Sequence, residues 1–475
     1  MSMKSNVFPT GPVWDIFKVI LSVPHPSGKE ARLADTLAAM AKERGLGVKF
    51  DSYGNLRISR PAAPGFEELP EVIMQGHLDM VCEKADGVDI DFDRDPIVPV
   101  VKDGMIWASG TTLGADNGIG AAMALAVLFD PDYRGRAVSG LFTKEEETGL
   151  VGAGKLSREM LDGKYLLNLD NSSESSFCIG CAGGSRTEIN IEIPFVPAVD
   201  GYSVEITVDG LPGGHSGEKI DKKLGNALVF LAGMLEASQV EVSDIYCMNA
   251  DNVIPRMAKA KVVSSEPPEH LANLFCRMVE EFKKELASDV NLEVNVTEIP
   301  AVEKMWQSSW RKEVVHAMAN VPNGVLEFAS EFGVPRTSSN FASCVAENGV
   351  LKLRLSQRSL DNELREEATG RIIEHFAATG AEIRVTSCYS GWKPVADAHI
   401  NSIAVEVWER LYGNKPVLKV IHAGLEAGII SKINPELELI SFGPDMYDIH
   451  SVNERLDIAS TDRVYRFLQE LIMAL

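Results

Sequence analysis

Over the first 180 residues, short apolar runs alternate with amphipathic stretches. EVIMQ (71–75), SGLFT (139–143) and KYLLNL (164–169) have the length of strands and are bounded by polar residues. Between the first two, NGIGAAMALAVLF (117–129) is apolar nearly all round, which predicts a buried helix. Ser27, Gly28, Lys29 and Glu30 match a capping box, and the periodic stretch after them predicts a helix over 31–45 that stops at Gly45. Residues 48–58, with Gly54 and Asn55 at their middle, predict a hairpin. This order of elements predicts an α/β sheet with helices on both faces.

From about residue 185 the pattern changes. RTEINIEI (186–193) and YSVEITVDG (202–210) alternate with period two, and 224–238 predicts a helix. VLKLRLSQRS (350–359), a helical pattern over 364–380 and AEIRVTS (381–387) follow the same plan, without a residue-level repeat. After Trp392, Lys393 and Pro394 the α/β style returns. There a helix is expected around 401–412, then a loop carrying HAGLEAG (422–428), a strand over 436–442 and a last helix over 460–475. The expected architecture is an α/β domain with a mixed sheet flanked by helices, built from 1–184 and 386–475. An inserted α+β domain over 185–385 interrupts it.

The net charge of −22 argues against nucleic acid and against anionic membranes, both of which would repel the chain. The longest apolar run, AAMALAVLF (121–129), is too short to span a bilayer. Pro9, Pro12, Asp15 and Lys18 break up any secretory apolar stretch, and the seven cysteines are scattered, so a reducing, cytoplasmic setting is expected. Cys178 and Cys181 have zinc-like spacing but no second pair follows, and they read as structural.

Seven side chains fall at or just beyond the ends of predicted strands: His77, Asp79, Asp116, Glu146, Glu147, Asp170 and, far downstream, His450. Taken singly, His77 reads as a loop histidine, Glu145–Glu147 as a solvated acidic run, and Asp116 and Asp170 as turn residues. Taken together they sit where α/β sheets bind ligands, beyond the carboxyl ends of strands. Buried carboxylates and imidazoles are costly unless paired or metal-bound. A mixed His/Asp/Glu set suits a divalent transition metal, and about five such ligands can hold two. The aspartates 89, 91, 93 and 95 are not read as a calcium loop, because Arg94 and Val100 stand where glycine and glutamate are needed. Cys82 has nothing near it that would activate a thiolate. His25, His270, His316, His375 and His399 read as structural or surface residues.

The stretches PHPSGKE, GHLDMV, GTTLGADNGIG, EEETGL, NLDN, PGGHSG, SQRS, HAGLEAG and DMYDIHSVNERL, spread from residue 24 to 457, resemble the co-catalytic zinc exopeptidases that include carnosinase, carboxypeptidase G and peptidase T. Within that family they are most similar to the bacterial aminoacyl-histidine dipeptidases. The resemblance implies a zinc-peptidase-like catalytic domain with the 185–385 insert as a lid that dimerises. It implies two divalent ions: zinc first, with manganese or cobalt as alternatives the same donors accept. His77 and Asp170 would bind one ion, Glu147 and His450 the other, and Asp116 both. Asp79 would orient His77, and Glu146 would be the general base for a metal-bridging hydroxide. His215, Asn252 and Arg358 would contact substrate, His215 at the oxyanion and Arg358 at the C-terminal carboxylate. His422 and Glu426, four apart, are read as pocket-lining. The implied reaction is hydrolysis of small unblocked dipeptides, including Xaa-His, by a homodimer. The alternatives are a tripeptidase or an N-acyl-amino-acid amidohydrolase of the same family, or a non-catalytic binding protein on the same scaffold.

Overall fold

The computed structural model describes residues 7–287 and 290–475. The chain forms two compact units. The first comprises residues up to Cys181 with Pro394–Val420 and Leu425–Leu475, and the second Ala182–Lys393 with Ile421–Gly424. The change of unit falls at 181/182 where the sequence placed it at 184/185, because only Ala182 separates the strands Ser176–Cys181 and Gly183–Glu192. The return falls at 393/394 where 385/386 was expected, because the strand Glu382–Tyr389 pairs with Gly183–Glu192 and carries the chain on.

In the first unit eight strands form a mixed sheet. Its order is Gly47–Phe50, Leu56–Arg60, Val138–Thr143, Val72–His77, Tyr165–Asn168, Glu438–Ser441, Ser176–Cys181 and Val417–Ile421. The middle of the sheet is parallel. Val72–His77 runs alongside both Val138–Thr143 and Tyr165–Asn168, and Tyr165–Asn168 alongside Glu438–Ser441. Parallel strands covered on both faces must be apolar at successive positions, which is why Val72–His77 and Val138–Thr143 are buried throughout. The helix Ala115–Phe129 packs on this centre, and the helices Pro12–Ser22 and Ile458–Ala474 belong to the same core. The predicted hairpin is present as Gly47–Phe50 antiparallel to Leu56–Arg60.

Two local expectations are corrected. The helix Ala31–Glu43 has Glu30 at its cap and no side-chain capping bond. The Ser27 hydroxyl donates instead to Asp79, and Glu30 accepts from the backbone N–H groups of Gly28 and Glu145. HAGLEAG is not all loop, since Glu426 opens the helix Glu426–Ile433.

The second unit is built on a nine-stranded antiparallel sheet. Its main path runs Glu293–Glu298, Tyr202–Asp209, Ala258–Ser264, Glu241–Cys247, Val334–Glu347, Val350–Ser359, Gly183–Glu192 and Glu382–Tyr389, and Gly324–Ala329 pairs with Val334–Glu347. Its core joins the helices Ala227–Ser238, Pro268–Lys283, Ser308–Ala319 and Asn362–Phe376 to the inner sheet face. Among the described residues no helix is long and apolar enough to cross a membrane.

The aromatic node of the first unit is Phe177, stacked on Phe467 at 5.0 Å and edge-on to Trp408 at 5.6 Å, with Phe442 at 5.8 Å. Phe442 follows the strand Glu438–Ser441 and Phe177 lies within Ser176–Cys181, so the node ties late and early segments together. Phe177→Ala is expected to cost about 3–5 kcal/mol through lost contacts and a cavity, read as a lower urea midpoint.

Candidate metal centre

The carboxyl ends of three neighbouring parallel strands deliver the site. Val72–His77 ends on His77 itself, Val138–Thr143 is followed by Glu146 and Glu147, and Tyr165–Asn168 by Asp170. Asp116 enters from the start of the helix Ala115–Phe129. Its φ of −81° and ψ of 107° are extended, so its side chain leaves the helix, and the Asp116–Asn117 peptide is cis. His450 arrives from the C-terminal segment of the same unit.

The donor atoms converge. His77 Nε2 lies 3.2 Å from Asp116 Oδ1 and 3.8 Å from Asp170 Oδ1. His450 Nε2 lies 3.4 Å from Asp116 Oδ2 and 2.9 Å from Glu147 Oε1. Asp116 therefore presents one oxygen to each histidine. Three sets have all their donor atoms within 4.8 Å of one another: His77 with Asp116 and Asp170, Asp116 with Glu147 and His450, and His77 with Glu146 and Glu147. Ligands about 2.1 Å from a tetrahedral zinc stand roughly 3.4 Å apart, so the first two sets have a suitable spread. The donors are imidazole nitrogens and carboxylate oxygens, which zinc, manganese and cobalt accept.

Electrostatics point the same way. Burial works against charge on His77, yet the Asp116 and Asp79 carboxylates hold its pKa well above the usual value. Bonds to Asp116 and Glu147 push His450 up to about 10. Burial pushes Asp170 and Glu146 upward, and neighbouring carboxylates add to it: Asp116 for Asp170, and Glu147 and Glu426 for Glu146. The cluster holds more negative charge than its two imidazoles neutralise, and it attracts protons in the absence of another cation.

Around it lie acids held by fixed donors. Asp79 accepts from the backbone N–H groups of Glu146 and Glu147 at 2.9 and 3.1 Å and from Ser27. Its carboxylate is 3.3 Å from His77 Nδ1, and His77 and these bonds hold its pKa down to about 2 against the effect of burial. Asn117 donates to Leu169 O and to Asp170 Oδ1 at 2.7 and 3.1 Å. It fits there because positions 76 and 120 are glycines. A Cβ on either would stand 2.2 or 2.4 Å from the Asn117 side-chain oxygen.

Glu454 was missed from the sequence. It is 2% exposed, and its two oxygens accept from the backbone N–H groups of Leu113, Gly114, Ala115 and Asp116 at 2.6–3.3 Å. The helix it serves has Gly114 at its cap with no side-chain acceptor, so Glu454 supplies the anion that the exposed N–H groups need. The absent cap in LGADNG was a signal for such a partner, though not for its position. Asp116 is thereby held through its own backbone.

Glu426 was expected, with His422, to line the pocket. It has no exposed surface, and its Oε2 accepts from Gln75 and from Thr143, each at 2.6 Å. Burial pushes its pKa up to about 7. It lies in the core of the first unit because the chain has already turned into a helix at that residue.

The other residues named for substrate lie in the second unit. His215 pairs with Val253 across the short ladder of Gly214–His215 and Val253–Ile254, and the Asn252 carbonyl accepts from Ser216 at 2.8 Å. His422 Nε2 is 2.7 Å from Ser338 Oγ, and Arg358 donates to the Tyr389 hydroxyl at 2.9 Å. Burial first, then the Arg358 charge, lowers the pKa of both histidines, His422 to about 3. Both rings are thus neutral at pH 7. His215 Nδ1 is buried with no hydrogen-bond partner among the described residues.

Residues 73–474 match the profile of Peptidase family M20/M25/M40, and the chain belongs to that family, whose members hydrolyse peptide bonds. Among its relatives, the cytosol non-specific dipeptidase of Escherichia coli is 34% identical over 480 residues, covering 99% of each chain. The solved aminoacylhistidine dipeptidase from Vibrio alginolyticus is 34% identical with a TM-score of 0.90, covering 98% of this chain and 96% of its own. Aminopeptidase PepT from Bacillus cereus shares the fold at 18% identity, with a TM-score of 0.62 over 98% of each chain.

Glu454→Ala strips the acceptor from four N–H groups beside Asp116. It is expected to weaken divalent-metal affinity about 10–100-fold, measured by competitive chelator titration, with Glu454→Gln falling between.

Proposed function

We propose that the chain is a dinuclear metallo-dipeptidase that cleaves small unblocked dipeptides, Xaa-His among them. The observation that carries this reading is the Asp116 carboxylate, with one oxygen toward His77 and the other toward His450. His77, Asp116 and Asp170 would hold one ion, and Asp116, Glu147 and His450 the second, zinc being our first choice. Bound ions would supply the Lewis acidity that polarises the scissile carbonyl and acidifies water.

The remaining roles belong to the chain's own residues. Asp79 fixes the tautomer and orientation of His77 through Nδ1. Glu146 accepts a proton from the attacking water and passes it to the leaving amine, a task suited to a carboxylate whose pKa burial and neighbouring acids raise. The second unit acts as the lid. Its Arg358 guanidinium takes the C-terminal carboxylate, and His215, held neutral, donates to the developing oxyanion. Asn252 would contact the substrate, and His422 and Glu426 would line its pocket. We further propose a cytosolic homodimer joined through this unit, in keeping with the E. coli relative's description as a cytosol enzyme. Because that relative is called non-specific and the Vibrio one aminoacylhistidine dipeptidase, we expect a broad dipeptide range that includes C-terminal histidine.

Glu146→Gln is expected to retain two metal ions per chain, by elemental analysis, while kcat falls about 10²–10⁴-fold. Full hydrolysis by that variant with metals bound would overturn the assignment of the base. On a panel of free, N-acetylated and three-residue peptides, the metal-loaded enzyme should turn over free dipeptides fastest. A preference for the acetylated compounds would remove the dipeptidase reading and leave an amidohydrolase.

A further inference from the structure

A cavity of about 520 Å³ opens in the first unit where three arginines, Arg44, Arg60 and Arg134, meet Phe129 and Tyr133. It lies at the opposite end of the central sheet from the carboxylate cluster. Arg60 pairs with Val138, the first residue of the strand whose far end leads to Glu146 and Glu147. The helix that begins beside Asp116 reaches the cavity at Leu128, twelve residues on, so the two places are roughly 18 Å apart along its axis.

Each guanidinium is held by carbonyl oxygens or an aromatic ring. Arg60 Nη1 donates to Leu128 O at 2.9 Å and Asp130 O at 2.5 Å, with its head group over the Tyr133 ring at 5.0 Å. Arg44 donates to Met40 O at 2.8 Å and lies over Phe129 at 4.5 Å. Arg134 Nη1 donates to Pro131 O and Tyr133 O at 3.1 and 2.9 Å. Among the described residues no carboxylate comes within 4.0 Å of any of the three, although the chain has 68 acidic residues against 46 basic ones. Carbonyl dipoles orient these groups without cancelling their charge, so three cations face one concavity with donors to spare.

We propose that this cavity binds a small organic phosphate, a phosphomonoester or diphosphate carried on a planar or apolar body. The volume is that of a small-molecule site, and the Phe129 and Tyr133 walls suit the body. Arginine forks match phosphate oxygens, and three of them exceed what a single carboxylate can engage. Amino acids and dipeptides are disfavoured because their ammonium group would face three like charges.

The test is calorimetric titration of the metal-loaded enzyme at low salt with AMP, adenosine, inorganic phosphate and glycylglycine. We compare the native chain with an Arg44→Glu/Arg134→Glu variant, both positions being exposed. Arg60 is kept because its carbonyl bonds support the local fold. AMP should bind at one site per chain, and more tightly than phosphate or adenosine. The double variant should weaken it by roughly 100-fold, as expected for losing two charge-assisted contacts, with dipeptide hydrolysis unchanged. AMP binding that survives the substitution belongs to the metal centre and overturns the proposal, as does the absence of any AMP binding. Phosphate binding as tightly as AMP would remove the organic body, and glycylglycine binding as tightly would refute the charge argument. Arg44→Gln/Arg134→Gln serves the same purpose if charge reversal impairs folding. These outcomes are independent of whether the carboxylate cluster hydrolyses peptides.

Discussion

The Asp116 carboxylate is the constraint around which the first unit is arranged. Its oxygens face His77 and His450, residues more than three hundred positions apart, and each approach is close enough to matter only if every neighbouring strand end is in register. A shift of one residue in Val72–His77 would turn His77 to the other face of the sheet. The glycines at 76 and 120, the extended backbone at Asp116 and the burial of Asn117 all serve that single placement.

So much acid in so small a volume needs compensation, and the chain provides it mainly through main-chain N–H groups. Asp79 is held by two, Glu30 by two and Glu454 by four. Asp79 and Glu454 are thereby satisfied within the protein, while the second oxygen of Glu30 has no hydrogen bond among the described residues and faces Lys144 Nζ at 3.6 Å. Asp116, Glu147 and Asp170 rely mainly on imidazoles and on Asn117. The difference separates acids bound mainly by the main chain from those that lean on two shared imidazoles.

The α/β class was legible in the sequence for a simple reason, whereas the family was legible only through the resemblance of stretches such as GTTLGADNGIG and HAGLEAG. Parallel strands buried on both faces leave continuous apolar runs, and EVIMQ, SGLFT and KYLLNL are such runs. Residues at their carboxyl ends can then be placed without knowing the loops. Glu454 and the burial of Glu426 were not legible, since a single glutamate carries no mark of which groups it will meet. Ser27 misled because its hydroxyl had two local uses, capping a helix or bonding Asp79, and only the tertiary position of Asp79 decides between them. The change of unit at Ala182 was off by a few residues because two strands of different sheets follow each other with a single residue between them.

The interrupted course of the first unit has a consequence for how the protein is made. His77, Asp116, Glu146, Glu147 and Asp170 all emerge from the ribosome before the second unit begins, whereas His450 and Glu454 emerge after it ends. At about 5–20 residues per second, the roughly 280 residues between Asp170 and His450 take on the order of 14–56 seconds to synthesise. Throughout that interval the nascent chain carries an acidic half-site without its second imidazole or the carboxylate that anchors the Asp116 loop. The central sheet is likewise incomplete, because Glu438–Ser441 has yet to take its place between Tyr165–Asn168 and Ser176–Cys181. The second unit, continuous but for Ile421–Gly424, can fold while the first still waits for its end.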